Sequence, residues 1–553
     1  MAPVKYWLIR IFIIGIFAAG AIWFKYQIDH RPKRVEVAGR NKILLLGNGT
    51  DIETLDPHMA TGVPEHHIIT ALFEGLVAPD ADDPDKDAPG VAEKWESPDF
   101  VTWTFHLRHN AKWSDGTPLT ALDFIYAYKR LLSPKLLADY AEMLHIIRGA
   151  AAFNKGQNPD FSQVGVTAAD NYTLIITLDG PAPYFPSMLK HYAWFPVPRH
   201  AIERYGAMDQ PDVSWARPGK IVSNGPFQLK EWVINHYIAV TKNPQYWDSG
   251  MVKLKEIHFF PTADSNTEER QYKGGQLHVT DTVPLDKIPF YRETKPPDFY
   301  QSPELSTEFY RCNVTKPPLN DARVRRALAL ALDREEMVTK ILRGGQQPAT
   351  GMTPPLAGDG YEVLHVVKFD LVEARRLLAE AGFKDGKGFP KFDILTNNKG
   401  NSRTVAEYFQ EAWRKNLGIE IGVRQQEWQV YLDSMRKGDY TLCRAGWTGD
   451  YPDPFTFLSI WRSFDGNNYT GWKNAKYDEL MAASTHERDS AKRREILRAG
   501  EEILLDEMPA IPMNWRQQFE LRRPEVLNWH RSVISHRCYK ALDLALPPPP
   551  SKP

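Results

Sequence analysis

The stretch Gln425 to Trp461, QQEWQVYLDSMRKGDYTLCRAGWTGDYPDPFTFLSIW, gathers Trp428, Arg444, Trp447 and Asp450 in one segment. The last two fall on a loop leaving a strand, and a carboxylate beside an aromatic wall at a strand end makes a socket for an ammonium group. The same residues also fit a plainer role, an Asp in the turn Gly449-Asp450-Tyr451-Pro452 above a Trp that only packs. Spacing alone leaves both open. Catalytic chemistry finds less support. The chain contains no GxSxG elbow, no HExxH, no P-loop and no GxGxxG. His66 and His67 are adjacent and so cannot share one face of a helix or strand, which argues against a metal there. With 69 Asp and Glu, spacing cannot select a pair for glycosidic acid–base work.

The elements that must position these residues are legible in outline. Val101, Trp103, Phe105 and Leu107 alternate with polar residues, the pattern of a half-buried strand, and Tyr172, Leu174, Ile176 and Leu178 repeat it. A helix is expected over Leu119 to Leu131 and a hairpin over Phe227 to Val240, broken near Asn235. Further on, helices are expected from Asp321 to Leu342, Asp370 to Ala381, Thr404 to Asn416 and Trp428 to Met435. They alternate with strands through Ile419, Ile421 and Val423 and from Thr441 to Gly446, which implies an α/β unit with a covered sheet. Pro-rich clusters near Phe195-Pro198, Ser302-Pro303 and Pro509-Pro512 are candidate boundaries, and Pro547 to Pro550 form a stiff end.

At about 150 residues per domain, a length of 553 residues implies three or four compact units. Lys plus Arg is 68 and the net charge is -1, so no global field collects nucleic acid, and charge recognition must be local. Aromatic residues make up 12% and suit either core filling or a ligand cleft. Cys312, Cys443 and Cys538 exclude a disulfide scaffold; a bridge between Cys312 and Cys443 requires neighbouring strands. Ile11 to Phe24 is an apolar run flanked by Lys5, Arg10, Lys25 and Arg31, an export signal or a membrane anchor. Ala19-Gly20-Ala21 fits a cleavage site, whereas Ile22-Trp23-Phe24 continues the run. The body from Val35 onward is expected outside the cytoplasmic membrane, held there or released.

Five segments carry a resemblance: Leu55 to Leu76, Pro89 to Arg130, VSNGPFQLKEW (Val222 to Trp232), NDARVRRALALALDRE (Asn320 to Glu335) and GWTGDYPDPFTFL. Together they resemble the oligopeptide-binding proteins of bacterial ABC importers, the family 5 extracellular solute-binding proteins, over Arg40 to about Pro550. The resemblance implies a periplasmic-binding-protein-like α/β fold, two lobes with crossing hinge strands plus an additional mixed lobe. Lobe I would take 40–73, 200–305 and 521–553, lobe II 74–199 and lobe III 306–520, after a signal or anchor with linker at 1–39. It implies a monomeric, non-enzymatic periplasmic carrier, without metal or cofactor, that delivers an oligopeptide to a membrane permease and reaches the membrane itself only through an uncleaved N-terminus. Asp450 matches the family's ammonium acceptor and Trp447 the flanking aromatic; Arg444 matches a basic residue near the ligand's carboxylate end. Trp428, Tyr140, Tyr272 and Asn397 match other cleft positions, and Val63, Gly446 and Thr448 complete the implied set. Departures are Ser402 and Met435 where other members carry basic groups, with Arg436 adjacent, and Thr61 and Thr70 near the cleft entrance. Ser306 and Thr448 stand where some members form a disulfide. A modified cell-wall peptide, sugar, metal chelate or haem is the alternative ligand, and a secreted hydrolase the remaining one.

Overall fold

The computed structural model describes residues 32–211, 213–355, 360–398 and 401–546; the apolar run at 11–24 lies outside them. Among the described residues no helix is long and apolar enough to cross a membrane. The helix Arg34–Arg40 corrects the expectation of a linker reaching residue 39, because Val35 and Ala38 are buried against Leu45, Phe260 and Tyr272. Val35 is also bonded through its backbone to Gly275 and to the ring of His278.

One sheet orders the strands Ile43–Gly47, Glu256–Phe260, Tyr237–Lys242 and Phe227–Val233. Its last pair is the expected hairpin, with Asn235 at φ 59° in the turn, a left-handed conformation that Asn tolerates better than most residues. A second, antiparallel sheet joins Ala92–Glu96, Thr102–Leu107, Thr173–Thr177 and Val166–Asp170. Trp103, Phe105 and Leu107 point inward from it, as their alternation requires. The neighbouring helix Ala121–Leu131 starts at a reciprocal cap, in which the backbone N–H of Thr120 donates to Asp123 at 2.7 Å.

The third sheet has six strands in the order Gln347–Pro348, Ala510–Leu521, Phe299–Cys312, Leu442–Thr448, Asp393–Asn397 and Gly422–Gln426. One face is covered by the helices Ala322–Leu330, Leu371–Glu380 and Ser402–Leu417, which bury Leu328, Leu378, Phe409 and Trp413 with Tyr310 and Ile511. On the other face the helix Trp428–Arg436 lays Tyr431, Leu432 and Met435 over Leu395 and Cys443.

Two long antiparallel strands, Phe299–Cys312 and Ala510–Leu521, tie the first and third sheets together. They pair from Phe299 opposite Leu521 to Arg311 opposite Ala510, with register breaks between Pro303 and Thr307 and between Glu308 and Phe309. At the Leu521 end the Thr280 N–H donates to the Leu521 carbonyl at 3.0 Å, and Val279 bridges Leu46 of the first sheet. Pro303 and Pro512 therefore lie within long strands, with Pro509 just before the second: a proline survives where its missing N–H falls at a ladder irregularity or a strand start.

Two element expectations need correction. Asp321 to Leu342 is not one helix; Asp333 accepts from the Glu336 N–H at 2.9 Å and starts a new turn after Leu330. The strand expected through Ile419 pairs only at Gly422–Gln426, because Ile419 and Ile421 are used beneath the helix Ser402–Leu417. Cys312 and Cys443 do lie on neighbouring strands, but Cys443 is opposite Arg311 and Cys312 opposite Leu442. Successive side chains alternate in face, so the two thiols sit on opposite sides of the sheet, both buried and free.

Candidate functional site

A cavity of about 850 Å³ opens where the sheets meet. Nine of the ten residues expected at the site line it: Val63, Tyr140, Asn397, Trp428, Arg444, Gly446, Trp447, Thr448 and Asp450. Tyr272 does not. It stands in the last turn of the helix Ser265–Lys273, whose first residues line the cavity, donates to Asp298 at 2.9 Å and lies under the guanidinium of Arg523. Thr61 lines the cavity, whereas Thr70 spends its hydroxyl on the His66 carbonyl of its own helix at 2.7 Å.

Asp450 stands just past the strand Leu442–Thr448, after Gly449, whose N–H donates to the Leu305 carbonyl at 2.8 Å and continues the ladder, and its side chain is 9% exposed. One hydroxyl holds the turn together. Thr456 Oγ1 accepts from the Asp450 N–H at 3.1 Å and from Trp447 Nε1 at 3.3 Å, and donates to Asp450 Oδ2 at 3.1 Å. Tyr140 donates to Oδ1 at 3.3 Å, and His191 Nε2 lies 3.4 Å from the same oxygen. The Ala193 N–H donates to His191 Nδ1 at 3.2 Å, which places the ring proton on Nε2, facing the carboxylate. Burial holds His191 well below the usual imidazole range, with His66 beside it adding to the effect. It therefore contributes a neutral N–H. Among the described residues the carboxylate thus meets neutral donors only. Burial pushes it up to about 7, against the opposing hydrogen bonds of Thr456 and Tyr140.

The aromatic wall is equally local. The rings of Trp447 and Tyr140 are 6.1 Å apart, and Trp428 stacks on Tyr431 at 5.6 Å, one turn along its helix. On the strand Leu442–Thr448 alternation sends Arg444, Gly446 and Thr448 to one face, opposite Tyr310, Glu308 and Ser306. Arg444 binds Glu308 at 2.8 Å and donates to Ser402 at 2.9 Å, and Ser402 donates to Asn397 at 2.9 Å. Gly446 leaves Glu308 room: a Cβ there would stand 3.2 Å from Oε1. Ser306 and Thr448 face each other directly and share a hydroxyl contact of 3.2 Å where a disulfide was the family alternative.

Sequence reasoning missed His191, Thr456, Glu308 and Arg516. Thr456 lies six residues past Asp450 and carried a local signal as a turn hydroxyl. The other three come from remote elements with no signal in the segment. Arg516 reaches Glu304 at 3.2 Å and Glu308 at 3.3 Å from the neighbouring long strand.

The arrangement, a cavity between sheets joined by two long antiparallel strands with a strand-end carboxylate in its wall, is that of a receptor for a small solute. The profile of the bacterial extracellular solute-binding proteins, family 5, matches residues 88–469, and the chain belongs to that family. It is 36% identical over 504 residues to the periplasmic oligopeptide-binding protein OppA of Salmonella typhimurium, covering 90% of this chain and 91% of that one. The structure of Haemophilus influenzae OppA in complex with the peptide RPPGFSPFR superposes with a TM-score of 0.86 at 32% identity, over 91% of this chain and 99% of the other. The murein tripeptide-binding protein MppA of Escherichia coli, 33% identical, superposes at 0.85 over 91% and 98%. Its unliganded open form, over 91% and 97%, gives only 0.60. Sequence and coverage are nearly the same in the last two comparisons, so the chain as a whole is arranged unlike that open form.

Proposed function

We propose that this chain is a non-enzymatic periplasmic carrier that captures oligopeptides in the interlobe cavity, by their ammonium group at Asp450, and hands them to an ABC-type permease. The observation that carries the reading is the buried Asp450 carboxylate, met among the described residues only by neutral donors and flanked by Trp447 and Tyr140. A ligand ammonium supplies the missing charge and three N–H donors. The peptide backbone would pair beside Gly446, a form of strand addition that is indifferent to side-chain identity, and hydrated pockets would take the side chains. Kinship with OppA supports the ligand class.

The lobe limits proposed are 40–73, extended back to take in the helix Arg34–Arg40, with 200–305 and 521–553 for lobe I, 74–199 for lobe II and 306–520 for lobe III; the placement of the two four-stranded sheets and the six-stranded sheet supports them. The carrier acts as a monomer, and its N-terminal apolar run either directs export or keeps it at the inner membrane. A modified cell-wall peptide is the second reading. Met435 and Ser402 at positions of family basic groups, and the likeness to MppA, favour it.

Native mass spectrometry of the purified protein tests both readings. Release of a series of ordinary peptides on denaturation supports the first, and release of muropeptide masses supports the second. A protein that carries neither, and binds neither in titration, refutes the reading.

A further inference from the structure

Arg311 is a buried cation of the cavity wall. It lies on the strand Phe299–Cys312 opposite Cys443 and is 2% exposed. A guanidinium carries five N–H donors that burial obliges the protein to satisfy. Other buried arginines of this chain meet strong acceptors. Arg130 forks onto Asp56 at 2.6 and 3.0 Å, Arg493 onto Asp453 at 2.7 and 2.9 Å, and Arg325 reaches the carbonyls of Leu319 and Glu507, both at 2.8 Å.

Arg311 has no such partner. Its Nη1 meets Met435 Sδ at 3.4 Å, a weak acceptor, and its Nε has no acceptor among the described residues. The rings of Tyr469, Phe309 and Trp461 lie 4.8, 5.6 and 5.8 Å from its central carbon. Such faces favour a cation but offer no oxygen for the fork. The acid on that side, Asp139, is engaged by Arg436 at 3.5 Å and by the hydroxyl of Tyr469. Arg311 itself lines the cavity, with Met435, Asn467 and Tyr469. It is also distinct from Arg444: the register places the two on opposite faces of the sheet, and Arg444 already holds Glu308.

We propose that Arg311 is a carboxylate receptor in the cavity, selecting ligands that present an acid group to the pocket between Met435 and Tyr469. A planar guanidinium with free donors matches a carboxylate two bonds at a time, and the aromatic walls strengthen the pairing by keeping water out. The inference rests on the peptide reading above. The carboxylate belongs either to an acidic side chain or to the peptide's C-terminus.

Calorimetry on the ligand-free protein tests it with tri-alanine, its C-terminal amide, and tripeptides carrying Glu or Gln at each position. The wild type is expected to prefer a carboxylate over its amide at one site by about tenfold or more, and Arg311→Met to abolish that preference while still binding the neutral peptide. Arg311→Lys, which keeps the charge and loses the fork, should retain part of it. Loss confined to Glu over Gln assigns an acidic side chain; loss confined to acid over terminal amide assigns the C-terminus. A wild type with no carboxylate preference anywhere overturns the proposal even if the variants misfold, as does a preference unchanged in Arg311→Met. If no peptide binds the wild type at all, it is the peptide reading that has failed.

Discussion

Replacing Asp450 with Asn preserves the shape of the side chain and removes its charge, so stability and binding should move in opposite directions. Burial raises the carboxyl from an ordinary 3.8 to about 7 in the unliganded protein. A three-unit rise corresponds to about 4 kcal/mol between protonated and ionised forms, at roughly 1.4 kcal/mol per unit. Because the folded value lies above the unfolded one, this contribution is fully present below about pH 3.8 and is lost as pH rises through about 7. At about pH 8 the wild type carries the full cost of an ionised buried group, and Asp450→Asn should be the more stable by a free energy approaching that figure, and so melt higher; near pH 4 the advantage should disappear. Ligand binding reverses the sign. Removing one side of a buried ion pair costs about 3 to 5 kcal/mol, so tripeptide affinity should fall by two or more orders of magnitude at roughly 1.4 kcal/mol per decade. Wild-type affinity should itself fall by about tenfold per pH unit below about 7, since an ammonium ligand requires the ionised acid. Thermal denaturation at the two pH values and calorimetry with a tripeptide check the pair of effects. An affinity loss below about fivefold, together with no pH-dependent gain in stability, would show that Asp450 is not the ammonium anchor.

Arg436 forks onto Glu53 at 2.8 and 2.7 Å and so fastens the helix Trp428–Arg436 to the chain before Val63, alongside Gln429, which donates to the Ile52 carbonyl at 2.8 Å. Arg436→Gln should loosen the closed arrangement. Small-angle scattering of the ligand-free variant is expected to show a larger radius of gyration than wild type, and an unchanged radius at unchanged affinity contradicts a latch. Alkylation in denaturant without reductant should modify all three cysteines, because the sheet separates Cys312 from Cys443 and Cys538 is also free; a single adduct would refute the assigned faces.

Much of the site was readable because Trp428, Arg444, Trp447 and Asp450 are local: one helix, one strand and one turn deliver them all. Periodicity found the strand Thr102–Leu107 and the helix Ala121–Leu131 for the same reason, since each shows one dry face. What stayed hidden depends on pairing. The six-stranded sheet joins Phe299–Cys312 to Ala510–Leu521 and Leu442–Thr448 across well over a hundred intervening positions in each case, and no alternation pattern encodes that choice. Glu308 resembles a solvent-facing strand residue until its register partner proves to be Gly446. His191 reaches Asp450 from a short turn whose sequence announces only packing. Tyr272 failed for another reason: its place rested on resemblance alone, and its own helix holds it against Asp298.

The breaks in register between the two long strands fall around Glu304 and Glu308, the acids that hold Arg516 and Arg444. A ladder bends most readily where its pairing slips. The joint on which the lobes would swing and the charges that face the cavity are therefore the same few residues. Any change in lobe angle re-aims those acids, and any solute that recruits Arg444 or Arg516 away from them alters the stiffness of the joint. Occupancy and posture would then need no relay between them, because the residues at the break in the ladder are the ones a solute would meet.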